Sequence, residues 1–268
     1  MGPLTRSELR RLRALRSPGV RARRGAFLLE GFRAVETALG AGRVDLLALT
    51  ERALEHDRAP ALLEAARDQG IVLRTLAPEV LAELSDTRTP AGVLARVPWD
   101  PPRDPSGEQV AESLERAGLR CLLCLDAVAD PGNAGTLLRT ADALGIPGVL
   151  LGKGTVEAGN PKTARAAAGS LVRLDYLAEE VDLARVLRRL AGRGWSVWRA
   201  EAGEGSPPPE ATEGTWALVL GSEGDGISDE LREVGEAVHL PRRAGAESLN
   251  VAVAGGILMY LMTRGRTT

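Results

Sequence analysis

The sequence predicts an α/β protein: a parallel sheet with helices on both faces, preceded by a smaller α/β domain. Three observations lead there. Apolar runs of strand length alternate with amphipathic helical stretches along most of the 268 residues, the pattern of βαβ units. The stretch PWDPPRDPSGEQ, Pro98 to Gln109, holds four prolines and a glycine and divides the alternation in two. Apolar residues make up 44% of the chain, enough for a core in each part; aromatics make up only 3%, so those cores are built from Leu, Val and Ala.

The elements follow in order. TRSELRRLRALRS reads as a helix capped by Thr5 or Ser7, with Leu9, Leu12 and Leu15 along one face. LLEGFRAVETALG reads as a helix closed by Gly40. VDLLALT, IVLRTLA and AGVLARV read as strands, separated by the helices APALLEAARDQG and PEVLAELSD. This first domain spans 1–97, and a linker with a lead-in helix, EQVAESLERAG, spans 98–118. In 119–268 the strands are LRCLLCLDAV, GVLLGKG, LVRLDYL, WSVWRAE, TWALVLGSE and EAVHLPR. Between them lie the helices that follow Asp130, PKTARAAAGS, VDLARVLRRLAGRG and a short one near Ser228 to Val234; a long helix from Ser248 closes the chain.

Charge is unevenly spread. The net charge is -2, yet Met1 to Arg33 holds nine Arg against Glu8 and Glu30. A basic arm on an acidic body fits a polyanionic partner at one end. No apolar run has the ~20 residues of a bilayer crossing, and the arginine-rich start is unlike a secretory signal, so a cytoplasmic protein is expected. Cys121 and Cys124 form a C-x-x-C, but within a buried strand residues three apart point to opposite faces, so two buried thiols are expected rather than a redox or zinc pair.

Three loops leave strands of the second part at their carboxyl ends, where ligands of parallel sheets bind. They are DPGNAGTLLRTADALG after CLLCLDAV, GSEGDGIS after TWALVL, and LPRRAGAESLN after EAVH. Each joins glycine, which lets backbone approach a ligand closely, to polar residues: Asn133, Glu223, Ser248 and Asn250. Neither G-x-G-x-x-G nor G-x-x-x-x-G-K-[ST] occurs, which leaves a nucleoside-triphosphate cradle without support.

NAGTLLRTADALG, LVLGSEGDGIS and LPRRAGAESLNVAVAGGILMY resemble the three motifs of the SpoU (TrmH-like) family, S-adenosylmethionine-dependent RNA ribose 2'-O-methyltransferases of the SPOUT superfamily. RRGAFLLEGFRAVETAL is similar to part of the substrate-binding domain that such enzymes often carry, itself similar to a ribosomal-protein fold. NPKTARAAAGSLVRL and AESLN look most like members that modify 23S ribosomal RNA. The resemblance implies a C-terminal trefoil knot, a homodimer, RNA as partner and S-adenosylmethionine as cofactor, without a metal. It implies that Arg139 activates the 2'-hydroxyl, and that Asn133, Glu223, Ser248 and Asn250 complete the catalytic set. Gly221, Leu240, Ser248, Leu249 and Asn250 match the positions that hold the cofactor. A guanidinium is not ordinarily a base, so the role expected of Arg139 is to orient the hydroxyl and stabilise the developing oxyanion.

The residues alone leave Asn133 and Ser248 open to a simpler reading as helix caps. For RNA, Arg21, Arg23, Arg24 and Arg33 are candidates in the first domain, and Lys162 and Arg165 beside the active site. The third motif departs from the family's usual Ile-Pro-Met with Leu240-Pro241-Arg242, and its loop glycine is replaced by Ala244 with Gly245 one place later. A transfer-RNA methyltransferase, a base methyltransferase of related fold and a non-catalytic RNA-binding assembly protein are the alternatives.

Overall fold

The computed structural model describes residues 1–104, 106–203, 205–241, 243 and 248–264. Two compact units emerge: Met1–Asp100 together with Ala158–Arg173, and Pro101–Glu157 together with the chain from Leu174 onward.

The first unit is built on β1 (Gly2–Pro3), β2 (Ala26–Glu30), β3 (Leu46–Leu49), β4 (Val72–Thr75) and β5 (Val93–Pro98), in the order β1-β4-β3-β5-β2. β5 runs antiparallel to both its neighbours, whereas β1, β3 and β4 are mutually parallel. The first helix, Arg6–Ala14, begins with a capping box in which Thr5 and Glu8 satisfy each other's backbone N–H groups. A second helix, Pro18–Arg24, has proline at its start and closes at Gly25 in the left-handed conformation.

Two stretches differ from the sequence reading. Leu28, Leu29 and Glu30 belong to β2, and the helix begins only at Phe32, because Gly31 at φ +90 breaks the chain between them. LVRLDYL is not one strand: Ser170–Val172 is a single 3-10 turn, and the strand runs from Tyr176 to Val181. The apolar run is shared out, its first half packing in the first unit and its second half in the sheet of the second.

That sharing also alters the division of the chain. The sequence placed everything after 118 in one domain, whereas Ala158–Arg173 packs with the N-terminal unit. The helix Pro161–Ala166 lies against β2, with Gly159 close to Phe27 and Gly169 close to Thr37.

The second unit is a six-stranded sheet of β6 (Cys121–Leu125), β7 (Gly148–Gly152), β8 (Tyr176–Val181), β9 (Ser196–Ala200), β10 (Trp216–Leu220) and β11 (Glu236–Val238). Its order is β11-β9-β10-β6-β7-β8, and every pairing is parallel. β6, β7 and β10 are buried along their whole length, as strands covered on both faces must be, which is why they read as unbroken apolar runs. Cys121 and Cys124 are both buried in β6, and burial pushes the Cys124 thiol far above its usual range. From β6 the chain winds outward through β7 to β8, crosses to the other side for β9, and returns to lay β10 beside β6. The order of winding therefore reverses between β6 and β10, and that is where a crevice for a ligand forms in such sheets. The helix Pro131–Ala143, which follows β6, packs against the closing helix Val251–Thr263; Gly255 lets the two approach, facing Leu137 and Leu220.

Candidate active site

The three loops singled out in the sequence meet at the β6/β10 switch point. The first enters the Pro131–Ala143 helix, whose N-cap is Asp130: its carboxylate accepts from the Asn133 N–H at 2.8 Å, and Pro131 fits the first turn, where no N–H is needed. Asn133 is therefore not the cap, and its side chain is left for other partners. Its amide N–H donates to Glu223 of the second loop, and its carbonyl oxygen accepts from the Asn250 amide at 3.0 Å. Asn250, not Ser248, caps the closing helix: its Oδ1 accepts from the N–H groups of Ala252 and Val253. One asparagine thus ties three loops from three separate strands, with a half-exposed chain of amide and carboxylate groups at its surface.

The second loop is a tight hairpin. Ser222 and Gly226 exchange both backbone hydrogen bonds, at 3.0 and 3.1 Å, and the Ser222 hydroxyl accepts from the Asp225 N–H. Gly221 lies buried at its base, where an added Cβ would fall 2.2 Å from the backbone of Gly226. Elsewhere in the hairpin the situation is reversed: a Cβ on Gly224, at the tip, or on Gly226, opposite Ser222, would meet nothing within 4 Å, so the backbone there is open to close approach. Leu240 is half-buried just beyond β11, while Ser248 and Leu249 are exposed just ahead of the Asn250 cap. Arg242, Ala244 and Gly245, the departures in the third motif, lie outside the described residues.

Arg139 sits two turns into the Pro131–Ala143 helix on its exposed face, in line with Thr136. It has no salt bridge or hydrogen bond among the described residues, and the structure brings it into no direct contact with Asn133, Glu223 or Asn250. A cation left unpaired beside a polar cluster is available to an incoming anion or hydroxyl.

Of the residues expected to meet RNA, Arg23, Arg24, Arg33, Lys162 and Arg165 are exposed, and all five belong to the first unit. Lys162 and Arg165, expected beside the active site, belong to the 158–173 segment of that unit. Arg21 is a correction. It is buried, and its guanidinium donates to the carbonyl oxygens of Leu15 and Arg16 at 2.7 and 2.8 Å, closing the turn between the first two helices. Arg21→Ala is expected to lower the unfolding free energy by about 1–3 kcal/mol, the cost of unpaired buried groups, and to leave RNA affinity and its salt dependence unchanged. Denaturant melts and binding titrations check both parts, and a loss of affinity without a loss of stability would return Arg21 to the RNA surface.

The sequence reading overlooked Asp130, although an Asp-Pro pair opening a helix is a recognisable start signal. It also passed over Asp126, which has no motif spacing to mark it.

An all-parallel α/β unit whose loops converge at the switch point belongs to the class of cofactor-binding domains. Comparison with known proteins narrows this. Residues 120–260 match the SpoU rRNA Methylase family, and residues 6–95 match the MRM3-like substrate binding domain. The chain belongs to the SpoU rRNA methylase family. It is 34% identical over 242 residues to the 23S rRNA (guanosine(2553)-2'-O)-methyltransferase RlmP of Bacillus subtilis, covering 90% of this chain and 89% of that one. It is 32% identical over 215 residues to the 23S rRNA (guanosine-2'-O-)-methyltransferase RlmB of Escherichia coli, covering 80% and 87%. Among solved structures, a putative RNA methyltransferase of the TrmH family from Porphyromonas gingivalis superposes with a TM-score of 0.76 at 31% identity, over 96% of each chain. The SpoU methyltransferase AviRb of Streptomyces viridochromogenes, in complex with AdoMet, superposes with a TM-score of 0.81 at 25% identity, over 97% of this chain and 98% of that one.

Proposed function

We propose that this chain methylates a ribose 2'-hydroxyl in 23S ribosomal RNA at the Asn133–Glu223–Asn250 cluster, with S-adenosylmethionine as the methyl donor. The observation that carries the reading is the junction of all three family motifs through Asn133 at the switch point. The residues present fit the cofactor: an open glycine backbone at Gly224 and Gly226, the half-buried Leu240, and the exposed Ser248 and Leu249 border the same loops. Gly221, Leu240, Ser248, Leu249 and Asn250 would hold it. When bound, S-adenosylmethionine supplies a methyl group on a cationic sulfur, open to in-line attack.

The chain's own residues do the rest. Asn133 fixes Glu223 and Asn250 relative to one another, so the loops present one arrangement rather than many. Arg139 orients the 2'-hydroxyl and stabilises the oxyanion that develops as its proton leaves. A guanidinium has no lone pair to offer as an acceptor; a neighbouring RNA phosphate is the acceptor we favour. The exposed Arg23, Arg24, Arg33, Lys162 and Arg165 would engage RNA phosphates, which set position rather than sequence.

We further infer a homodimer. Val253, Ile257 and Tyr260 of the closing helix are 52%, 41% and 56% exposed and recur at helical spacing, an apolar stripe that a second copy would cover. A trefoil knot in the second unit is supported by the N–H groups of Ala211 and Thr212, which bond carbonyls of Leu261 and Met262 and so tie the β9–β10 connection to the closing helix. Residues 1–97 serve as the RNA-binding domain, 98–118 as linker and lead-in helix and 119–268 as the catalytic chain, with 158–173 lent to the first unit. No helix among the described residues is long and apolar enough to cross a membrane, and we place the protein in the cytoplasm with its RNA.

Incubation with methyl-labelled S-adenosylmethionine and separate pools of unmodified ribosomal and transfer RNA, followed by digestion to nucleosides, tests the reading. A labelled 2'-O-methylnucleoside from the ribosomal pool is expected. Label on a base, or label from transfer RNA alone, would overturn it.

A further inference from the structure

We propose that Asp126 is a positioning residue, latching the Gly221–Ile227 hairpin into the place from which it receives S-adenosylmethionine. The inference rests on the reading of the site given above. Asp126 follows directly on β6 and is buried. Its backbone N–H donates to the Leu220 carbonyl oxygen at 2.8 Å, and its Oδ2 accepts from the Ser228 N–H at 2.8 Å. Leu220 is the last residue of β10, and Ser228 is the first residue beyond the hairpin. A single residue of the neighbouring strand therefore grips both feet of the loop.

The hairpin between those feet is internally paired through Ser222, Asp225 and Gly226, so it moves as one piece. Ile227 anchors one end of it in the core, and two hydrogen-bonded attachments orient the rest: the Asp126 latch at its base and the Asn133–Glu223 bond at its exposed side. The second is exposed; the first is part-buried, running from the exposed Ser228 to a buried carboxylate. A buried carboxylate is costly unless hydrogen-bonded, and the Ser228 N–H supplies that bond. The residue that follows, Ala127, holds φ +54, a left-handed conformation that side-chain-bearing residues rarely adopt. The chain thus turns sharply out of β6 at the very residue after the latch, and from there it enters the loop that carries Asn133.

The test compares Asp126→Asn, which keeps an acceptor oxygen, with Asp126→Ala, which removes it, in the full-length protein. Asp126→Ala is expected to raise KM for S-adenosylmethionine on the order of tenfold, the equivalent of one hydrogen bond to a charged acceptor lost, with a smaller change in kcat. Asp126→Asn is expected to stay within roughly threefold of the parent, since a neutral acceptor replaces a charged one. Hydrogen exchange without cofactor gives an independent readout: the amides of Ser222, Gly226 and Ser228 lose protection in the alanine variant and keep it in the asparagine variant. If Asp126→Ala does not fold, Asp126→Glu, which displaces the acceptor by one methylene, takes its place in both measurements. A folded alanine variant with unchanged KM and unchanged exchange would overturn the proposal, as would an asparagine variant as impaired as alanine. If the parent protein transfers no methyl group, the reading of the site fails, and hydrogen exchange alone decides whether the latch exists.

Discussion

Arg139→Ala is expected to lower methyl transfer by about a hundredfold to a thousandfold, the range seen when a preorganised donor to a developing oxyanion is removed, while binding of cofactor and RNA is retained. The expectation follows from where the side chain stands. Arg139 is exposed on the helix that carries Asn133, and no salt bridge among the described residues would be broken by its removal, so the fold has little to lose. An interaction made chiefly in the transition state, when lost, lowers kcat and kcat/KM together. Arg139→Lys should recover only part of the rate, because an ammonium is a point charge and cannot reproduce the planar fork of a guanidinium. Steady-state kinetics with saturating RNA, alongside a separate binding measurement, decide the matter. Full activity in Arg139→Ala would remove it from the mechanism, and a loss confined to RNA affinity would make it a binding residue instead.

Gly221→Ala is expected to weaken cofactor binding about a hundredfold or more, an outcome on the scale of a ~3 kcal/mol overpacking penalty. The new Cβ would lie 2.2 Å from the backbone carbon and oxygen of Gly226 and 2.6 Å from the nitrogen of Ile227. All three are backbone atoms of the hairpin, so no side chain can swing away, and the loop itself must open. Gly226→Ala is the informative control. It meets nothing within 4 Å, and its φ of +69 costs only about 1–2 kcal/mol. Equilibrium binding of labelled S-adenosylmethionine to the two variants separates crowding inside the hairpin from strain in its backbone. Parental affinity in Gly221→Ala would show that the hairpin does not need its closed form.

Much of the architecture was legible because parallel strands buried on both faces leave a plain trace. CLLCL, GVLLG and WALVL are apolar at every position, and each is a strand. The failures occur where one apolar stretch serves two elements. AFLLE and FRAVETALG adjoin, and only Gly31 marks the change from strand to helix. LVRLDYL is divided between two units, and no local pattern records which core a leucine will join. At the site, residue types in three loops pointed to Asn133, Glu223 and Asn250, and the structure brings these three together. The caps stayed open in the sequence because asparagine and serine both qualify on chemistry; only geometry chose Asp130 and Asn250. Arg21 was indistinguishable from Arg23 and Arg24 in a basic run, yet a helical turn sends one inward and two outward.

The excursion of residues 158–173 bears on how the protein comes to be made. β2 is an edge strand of the N-terminal sheet, and the helix Pro161–Ala166 lies against it. A ribosome that has released only the first hundred residues has supplied all five strands of that sheet, but not this cover. An uncovered edge is a template for pairing with other chains. The N-terminal unit therefore completes itself only after β6 and β7 of its neighbour have also been synthesised, so the two units cannot mature as strictly successive beads. Assembly of the first unit waits on a piece of chain that lies beyond the start of the second, which couples the quality of one to the presence of the other before any substrate is met.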